Sequence, residues 1–214
     1  MADLPADIFT EPDDIDPDTL ANLGPLRGLA GVWEGEKGLD VNPKAAGPEQ
    51  ARFVERIELQ PIDPQANGPQ LFYGLRYHTH ILKPGEATTY HDQVGYWLWA
   101  PASGLLLQSL AIPRGQVALA AGTARPDATS FRLSARRGAT DYGICSTTFL
   151  EEAFRTDSYD IEVTLNPDGT WSYFEVTVLR VRGQAEAFRH EDGNTLTRIA
   201  EPTPNPLMRA TAAA

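Results

Sequence analysis

After Gly31 the chain is written almost entirely in short alternating segments closed by polar turns, and that pattern restricts its fold more than any other feature. In "ARFVERIELQP", Phe53, Glu55, Ile57 and Leu59 fall on one face and Arg52, Val54, Arg56 and Glu58 on the other. "GVWEGEK" precedes it, and "QLFYGLRYHTHIL" is joined to "TTYHDQVGYWLWAP" by the hairpin-sized "KPGEA". The series continues through "GLLLQSLAIP", "GQVALAAGTA", "TSFRLSARR", "ICSTTFLEEAF", "DSYDIEVTLN", "TWSYFEVTVLRV" and "AEAFRHEDGNTLTRIA", with a tight turn at "NPDG". About ten strands, no βα alternation and no long helix predict an all-β chain, a closed antiparallel β-barrel. A two-sheet sandwich is the alternative; it would fill its centre with side chains where a barrel can enclose a ligand.

The ends read differently. Residues 1–18 mix prolines and aspartates without periodicity and predict an extended arm. A short helix follows from Asp18 or Thr19 to Leu23, stopped by Gly24-Pro25. The barrel domain is expected over 19–201, and the proline-rich tail 202–214 is expected to be extended.

"HDQVGYWLWAP" raises the question of what its two faces meet. Val94, Tyr96 and Leu98 lie on one side, and Gly95, Trp97 and Trp99 on the other, with His91 at the head. Both faces are apolar. One face is expected to line the barrel interior; the other needs a cover, from residues 1–30 or from the second subunit of a homodimer. Burial of Trp97 and Trp99 together with Tyr96 and Leu98 is the expected result.

Charge and cysteine usage narrow the function. Eighteen basic against 29 acidic residues give a net charge of -11, which repels phosphate backbones and argues against a nucleic-acid partner. Cys145 is the single cysteine, so there is no intrachain disulfide and no multi-cysteine metal site. The acidic N-terminus lacks the basic and apolar regions of a signal peptide, and no apolar run reaches membrane-spanning length; the cytoplasm is the expected location. Nothing matches a nucleophile–histidine–acid set, a phosphate loop or a dinucleotide fingerprint.

Three stretches carry a family resemblance. "LAGVWEG" sets Leu29, Gly31, Trp33 and Gly35 in one register after a short helix. "HDQVGYWL" runs from His91 to Gly95-Tyr96, and "LNPDGTWSYFEVTVLRVRGQAEAFRH" ends on His190. In order and spacing, from about residue 26 to 200, the chain resembles the nitrobindin family of heme-binding β-barrels, whose fold is like that of lipocalins and fatty-acid-binding proteins. The resemblance implies a small hydrophobic ligand or heme b in the cavity, with His190 as iron ligand. It also implies a ferric, solvent-open heme that reacts with nitric oxide and isomerises peroxynitrite to nitrate, provided that His190 holds the iron. The family has Leu directly after that histidine. Here "EDGNTLTRI" follows, and Asp192-Gly193-Asn194 reads as a bulge or turn that swings His190 outward. "HDQVGYWLW", "PRG" and "DGNTLTRIAEPTPNP" are similar to a ferric nitrobindin-like subgroup without the histidine. Both registers stay open.

Other candidates stand on residue chemistry. His190 has Glu191 and Asp192 beside it to orient an imidazole ligand. His78, His80 and His91 lie on neighbouring strands and are a candidate metal trio, against an ordinary polar rim. Arg114, before Gly115, is placed to grip a carboxylate or heme propionate, and Arg76, Tyr77 and Tyr142 are placed for the same task. Trp97 lines either pocket or core. The alternative function is a metal-free carrier or sensor for a fatty acid or similar amphiphile.

Overall fold

The computed structural model describes residues 7–212. Helix α1 (Thr19–Asn22) starts at Asp18, whose carboxylate accepts the Ala21 N–H at 3.1 Å. Gly24-Pro25 ends it as predicted, but the chain then continues as a 3₁₀ turn over Gly24–Leu29. Strands β1 (Gly31–Asn42), β2 (Glu49–Pro61), β3 (Gln65–Asn67), β4 (Gln70–Leu82), β5 (Thr89–Ala100), β6 (Leu105–Ile112) and β7 (Gln116–Thr123) follow. Then come β8 (Ser130–Arg137), β9 (Gly143–Ser146), α2 (Thr148–Ala153), β10 (Phe154–Leu165), β11 (Trp171–Val181), β12 (Phe188–Ala200) and α3 (Pro206–Ala212).

The neighbours run β2-β1-β12-β11-β10-β8-β9-β7-β6-β5-β4, and β4 pairs back onto β2, closing a barrel of eleven strands. Every pairing is antiparallel except β8–β9. β3 attaches only to the start of β4. Closure leaves no free edge among the eleven barrel strands. Among the described residues no helix is long and apolar enough to cross a membrane.

The barrel interior is divided in two along its axis. At one end Leu23, Leu26 and Leu29 of the N-terminal turns are fully buried against Trp33, Trp97, Trp99, Phe131, Trp171 and Leu196. This is a packed apolar plug. Trp33 donates its indole N–H to the Leu29 carbonyl at 2.8 Å, and the Arg198 guanidinium lies 4.6 Å from the Trp33 ring centre. Beyond the plug the inward positions turn polar: Glu55, Thr79, Gln93, Gln108, Thr156 and Asn194 are all buried.

Three expectations are corrected. β12 runs unbroken through Asp192-Gly193-Asn194, with continuous pairing from Leu196 to Phe188 against β11; the irregularity is in β1, between Gly35 and Gly38. A Cβ on Gly193 would stand 2.8 Å from the Tyr173 carbonyl, so this glycine serves close strand approach rather than a turn. Part of the tail 202–214, expected to be extended, is α3. Pro206 opens it, where the missing N–H costs nothing, and Asp63 accepts the Leu207 N–H at 2.8 Å. Finally, Trp97 and Trp99 are buried as expected, but Tyr96 is 43 % exposed on the outer wall. The described part of the arm packs instead against Gly68, through Ile8. Residues 1–6 of the predicted arm and 213–214 of the tail lie outside the described residues.

Candidate functional site

The site is built from inward positions at the end of the barrel opposite the plug. Cross-strand registers set Glu175, Asp192 and Asp40 side by side on β11, β12 and β1. The next inward row carries Thr177 opposite His190. One step toward the plug, Tyr173 and Asn194 both reach Glu55 of β2, donating to the same carboxyl oxygen at 2.8 and 3.1 Å. Gln93 donates to the Tyr77 hydroxyl at 2.7 Å, and the Tyr159 hydroxyl donates to Gln108 at 2.8 Å.

Asp40 is the most heavily engaged carboxylate of the inner wall. His190 Nε2 donates to one oxygen at 2.6 Å; the Tyr90 hydroxyl and Asn42 amide donate to the other at 2.5 and 2.8 Å. Burial works against the Asp40 charge, but these donors outweigh it and hold the pKa below the usual carboxylate range. Burial likewise works against a charged His190, yet Asp40 and the nearby Asp192 outweigh it and raise the imidazole pKa. The structure brings these two residues together as an ion pair.

Glu55, Asp192 and Glu175 behave in the opposite way. Burial pushes Glu55 up to about 8 against the two bonds it accepts, helped by the charge of Asp192. Burial also raises Asp192 to about 7, opposed by His190 and reinforced by Asp40. Glu175 is raised by burial first and then by Asp192 and Glu55. Three acids that resist ionisation therefore sit beside one that is fixed as the anion. Burial is the first cause, and their charges on one another add to it.

Thr177, His190 and His91 on the inner wall are half-buried. Glu175 and Asp192 are hemmed in by protein but keep accessible surface. Among the described residues, the only sealed side-chain polar atoms without a partner are Trp171 Nε1 and Arg198 Nε. Glu55 and Gln108 are only 4 % and 2 % exposed, with Tyr173 and Asn194 donating to the first and Tyr159 to the second.

The predicted site residues separate accordingly. His91 alternates with Gln93 and Trp97 on the inner wall and donates to Gln93 at 3.3 Å; burial holds its pKa down. His78 and His80 point outward, bonded to Asp92 and Thr89, both at 3.0 Å, so the three histidines do not converge on a metal. Trp97 is core, edge-on to Phe131 at 6.2 Å. Arg114 is on the rim and donates to the Tyr90 carbonyl at 2.7 Å. Arg76 is on the outer wall, and Tyr142 is exposed in the turn before β9. No carboxylate grip forms from Arg76, Tyr77 and Tyr142. Sequence reasoning did not single out Asp40, Tyr90, Glu175 or Gln108. Glu55 left a trace, as a charged residue between Phe53 and Ile57 on the apolar face of its strand.

Comparison with known proteins gives three results. No curated protein matches the chain. The fold is similar to that of Rv2717c from M. tuberculosis, known from a crystal structure. The TM-score is 0.57 and the identity 21%, over 86% of this chain and 99% of that one. The profile of a family described as "THAP4-like, heme-binding beta-barrel domain" matches residues 22–198. With a closed barrel and an N-terminal plug within that span, the chain belongs to the THAP4-like heme-binding β-barrel domain family.

Proposed function

We propose that this chain is a small-ligand-binding barrel of its family in which His190 does not hold heme iron, and that the ligand is polar. The observation that carries the reading is the chemistry of the inner wall around His190. Heme presents a flat apolar ring and two anionic propionates, which call for apolar or cationic surroundings. Here Glu175, Asp192 and Asp40 stand in a row, and the Asp40 carboxylate occupies His190 Nε2 at 2.6 Å. The residues present do not fit the group. Peroxynitrite isomerisation, which needs the iron, is then not expected.

The fatty-acid alternative meets the same difficulty. A carboxylate ligand needs an inward cation, whereas Arg76 faces outward and Arg114 is spent on a backbone carbonyl at the rim. Iron ligation by His190 has one observation in its favour: a carboxylate on one imidazole nitrogen is also the usual way to orient a metal-bound histidine through the other. Hemin titration separates the readings. The expected result is no saturable Soret shift at stoichiometric protein, and the same trace from His190→Ala. A one-to-one complex in the parent, lost in the alanine variant, overturns the proposal.

A further inference from the structure

We propose that the outer wall of β5, β6 and β7 is an interface between two copies of this chain, packed about a twofold axis that crosses the strands between the rows of Val94 and Tyr96. The inference concerns the outside of the barrel and is independent of what the interior holds.

Cross-strand registers lay Val94, Ala111 and Val117 in one outward row, and Tyr96, Ser109 and Leu119 in the next. A third row runs through Leu98 and Leu107. Ser109 is the one polar side chain among these residues, and Val94, Tyr96 and Val117 are 46 %, 43 % and 48 % exposed. The outward face of the opposite wall is charged instead, with Arg132 and Arg136 sharing Asp160, each at 3.0 Å. The described arm leaves the apolar wall open: Ile8 lies against Gly68, and the Asp16 and Pro17 carbonyls are held by Tyr73 and Asn205. A contiguous apolar surface of this kind marks a place of contact.

Charge and shape both fit a second copy. At the border of the wall, Glu58 on β2 is in the Val94 row and Arg76 on β4 is in the Tyr96 row. Neither makes an ion pair or a side-chain hydrogen bond among the described residues, although both line the same groove. A twofold axis between the two rows exchanges them, so each Glu58 approaches the Arg76 of the other copy and the contact is made twice. The surface is its own complement. The groove holds about 840 Å³, with small residues such as Ser109 and Ala111 on its lining and Tyr96 projecting beside them. The same axis sets each Tyr96 ring over Val94 and Ala111 of the other copy, and a tyrosine seated on an apolar floor is a strong interface anchor. From β2 to β7 the wall crosses four strand spacings, about 19 Å, and its three rows span about 13 Å. With the width of a side chain around it, this gives on the order of 500 Å² per partner, the size of a weak, exchanging dimer.

Sedimentation equilibrium of the full chain from about 1 to 300 µM tests this. The expected result is a reversible monomer–dimer equilibrium with a dissociation constant in the micromolar range. Tyr96→Arg should raise that constant at least about thirtyfold, because it sets a charge on an apolar floor. Glu58→Arg and Arg76→Glu should each raise it about tenfold, and the double variant should return it to within about threefold of the parent. Glu162→Arg, on the opposite wall, should associate like the parent. All four positions are exposed, so the substitutions leave the barrel itself undisturbed. A chain that stays monomeric throughout overturns the proposal, as does a dimer indifferent to Tyr96→Arg, which uses another surface. Single reversals without effect, or a double variant as weak as the single ones, also overturn it, since the two charges then do not meet across the axis.

Discussion

The Tyr173 hydroxyl donates to the Glu55 carboxyl at 2.8 Å, joining β11 to β2 across 118 residues of sequence. Asn194 adds a second bond to the same oxygen, yet the pKa still rises to about 8 because burial outweighs both. Two donors to one oxygen do not replace the water that a carboxylate loses.

A pH dependence of stability follows. Between the unfolded pKa near 4.5 and the folded value of about 8, the native state holds the Glu55 proton and the unfolded state has released it. Stability therefore falls as pH rises through this window, and the loss is complete above the folded pKa. Asp192 adds to the same slope up to about 7. Glu55→Gln should flatten the curve between pH 5 and 8 and raise stability at pH 8 by roughly 1–3 kcal/mol, given that both donors still find an oxygen. Urea melts at four pH values measure it, and a slope as steep in the variant as in the parent refutes it.

The two inward histidines should titrate on opposite sides of the ordinary value. His190 is raised by Asp40, so its ion pair contributes fully below about 6.5 and is lost as pH rises through the folded pKa. His91 is lowered by burial and works the other way, with stability lost as the unfolded imidazole takes up a proton. Asp40→Asn should bring the His190 midpoint down and leave His91 below the reference. NMR titration of the imidazole resonances reads both, and equal midpoints in the parent would end this account.

Asn205 is fully buried between the arm and the tail. It donates to the Pro17 carbonyl at 2.9 Å and to Asp63 at 2.8 Å, and accepts the Thr19 N–H at 3.3 Å. Asn205→Ala should destabilise the fold by about 1–3 kcal/mol, since it strands buried donors and acceptors. Proteolysis at the two termini should accelerate before the barrel itself opens. Unchanged cleavage would show that the contact is incidental.

Gly24 has φ +53°, and a Cβ there would come within 2.5 Å of the Trp99 indole nitrogen. Gly24→Ala therefore combines a disfavoured backbone with an overlap in the plug, and should cost about 2–4 kcal/mol. A thermal melt checks it; a shift below a degree or two would mean that the plug is more yielding than its packing indicates.

The barrel was legible because its cause is local. Alternation in segments such as Phe53-Glu55-Ile57-Leu59, and turn residues between them, are properties of neighbours in sequence. Asp192-Gly193-Asn194 misled for the same reason: its turn propensity is local, while pairing on both sides holds it in β12. The site was less legible because Asp40, Glu175 and Asp192 come together only through register between three strands. Outward pairs such as His78–Asp92 and inward ones such as His190–Asp40 look alike in sequence. One residue of register decides which is which.

The division of the interior also governs how the protein moves. β12 carries Leu196 in the plug and His190 at the far end, six residues or about 20 Å apart on one rod. The rod is clamped at one end by tryptophan packing that fixes its register, and carries half-buried polar groups at the other. Strands held in this way can splay or tilt at their free ends but cannot slide. Amide protection should therefore fade along single strands from plug to mouth, and a guest bound at the mouth should slow exchange at that end of the barrel only.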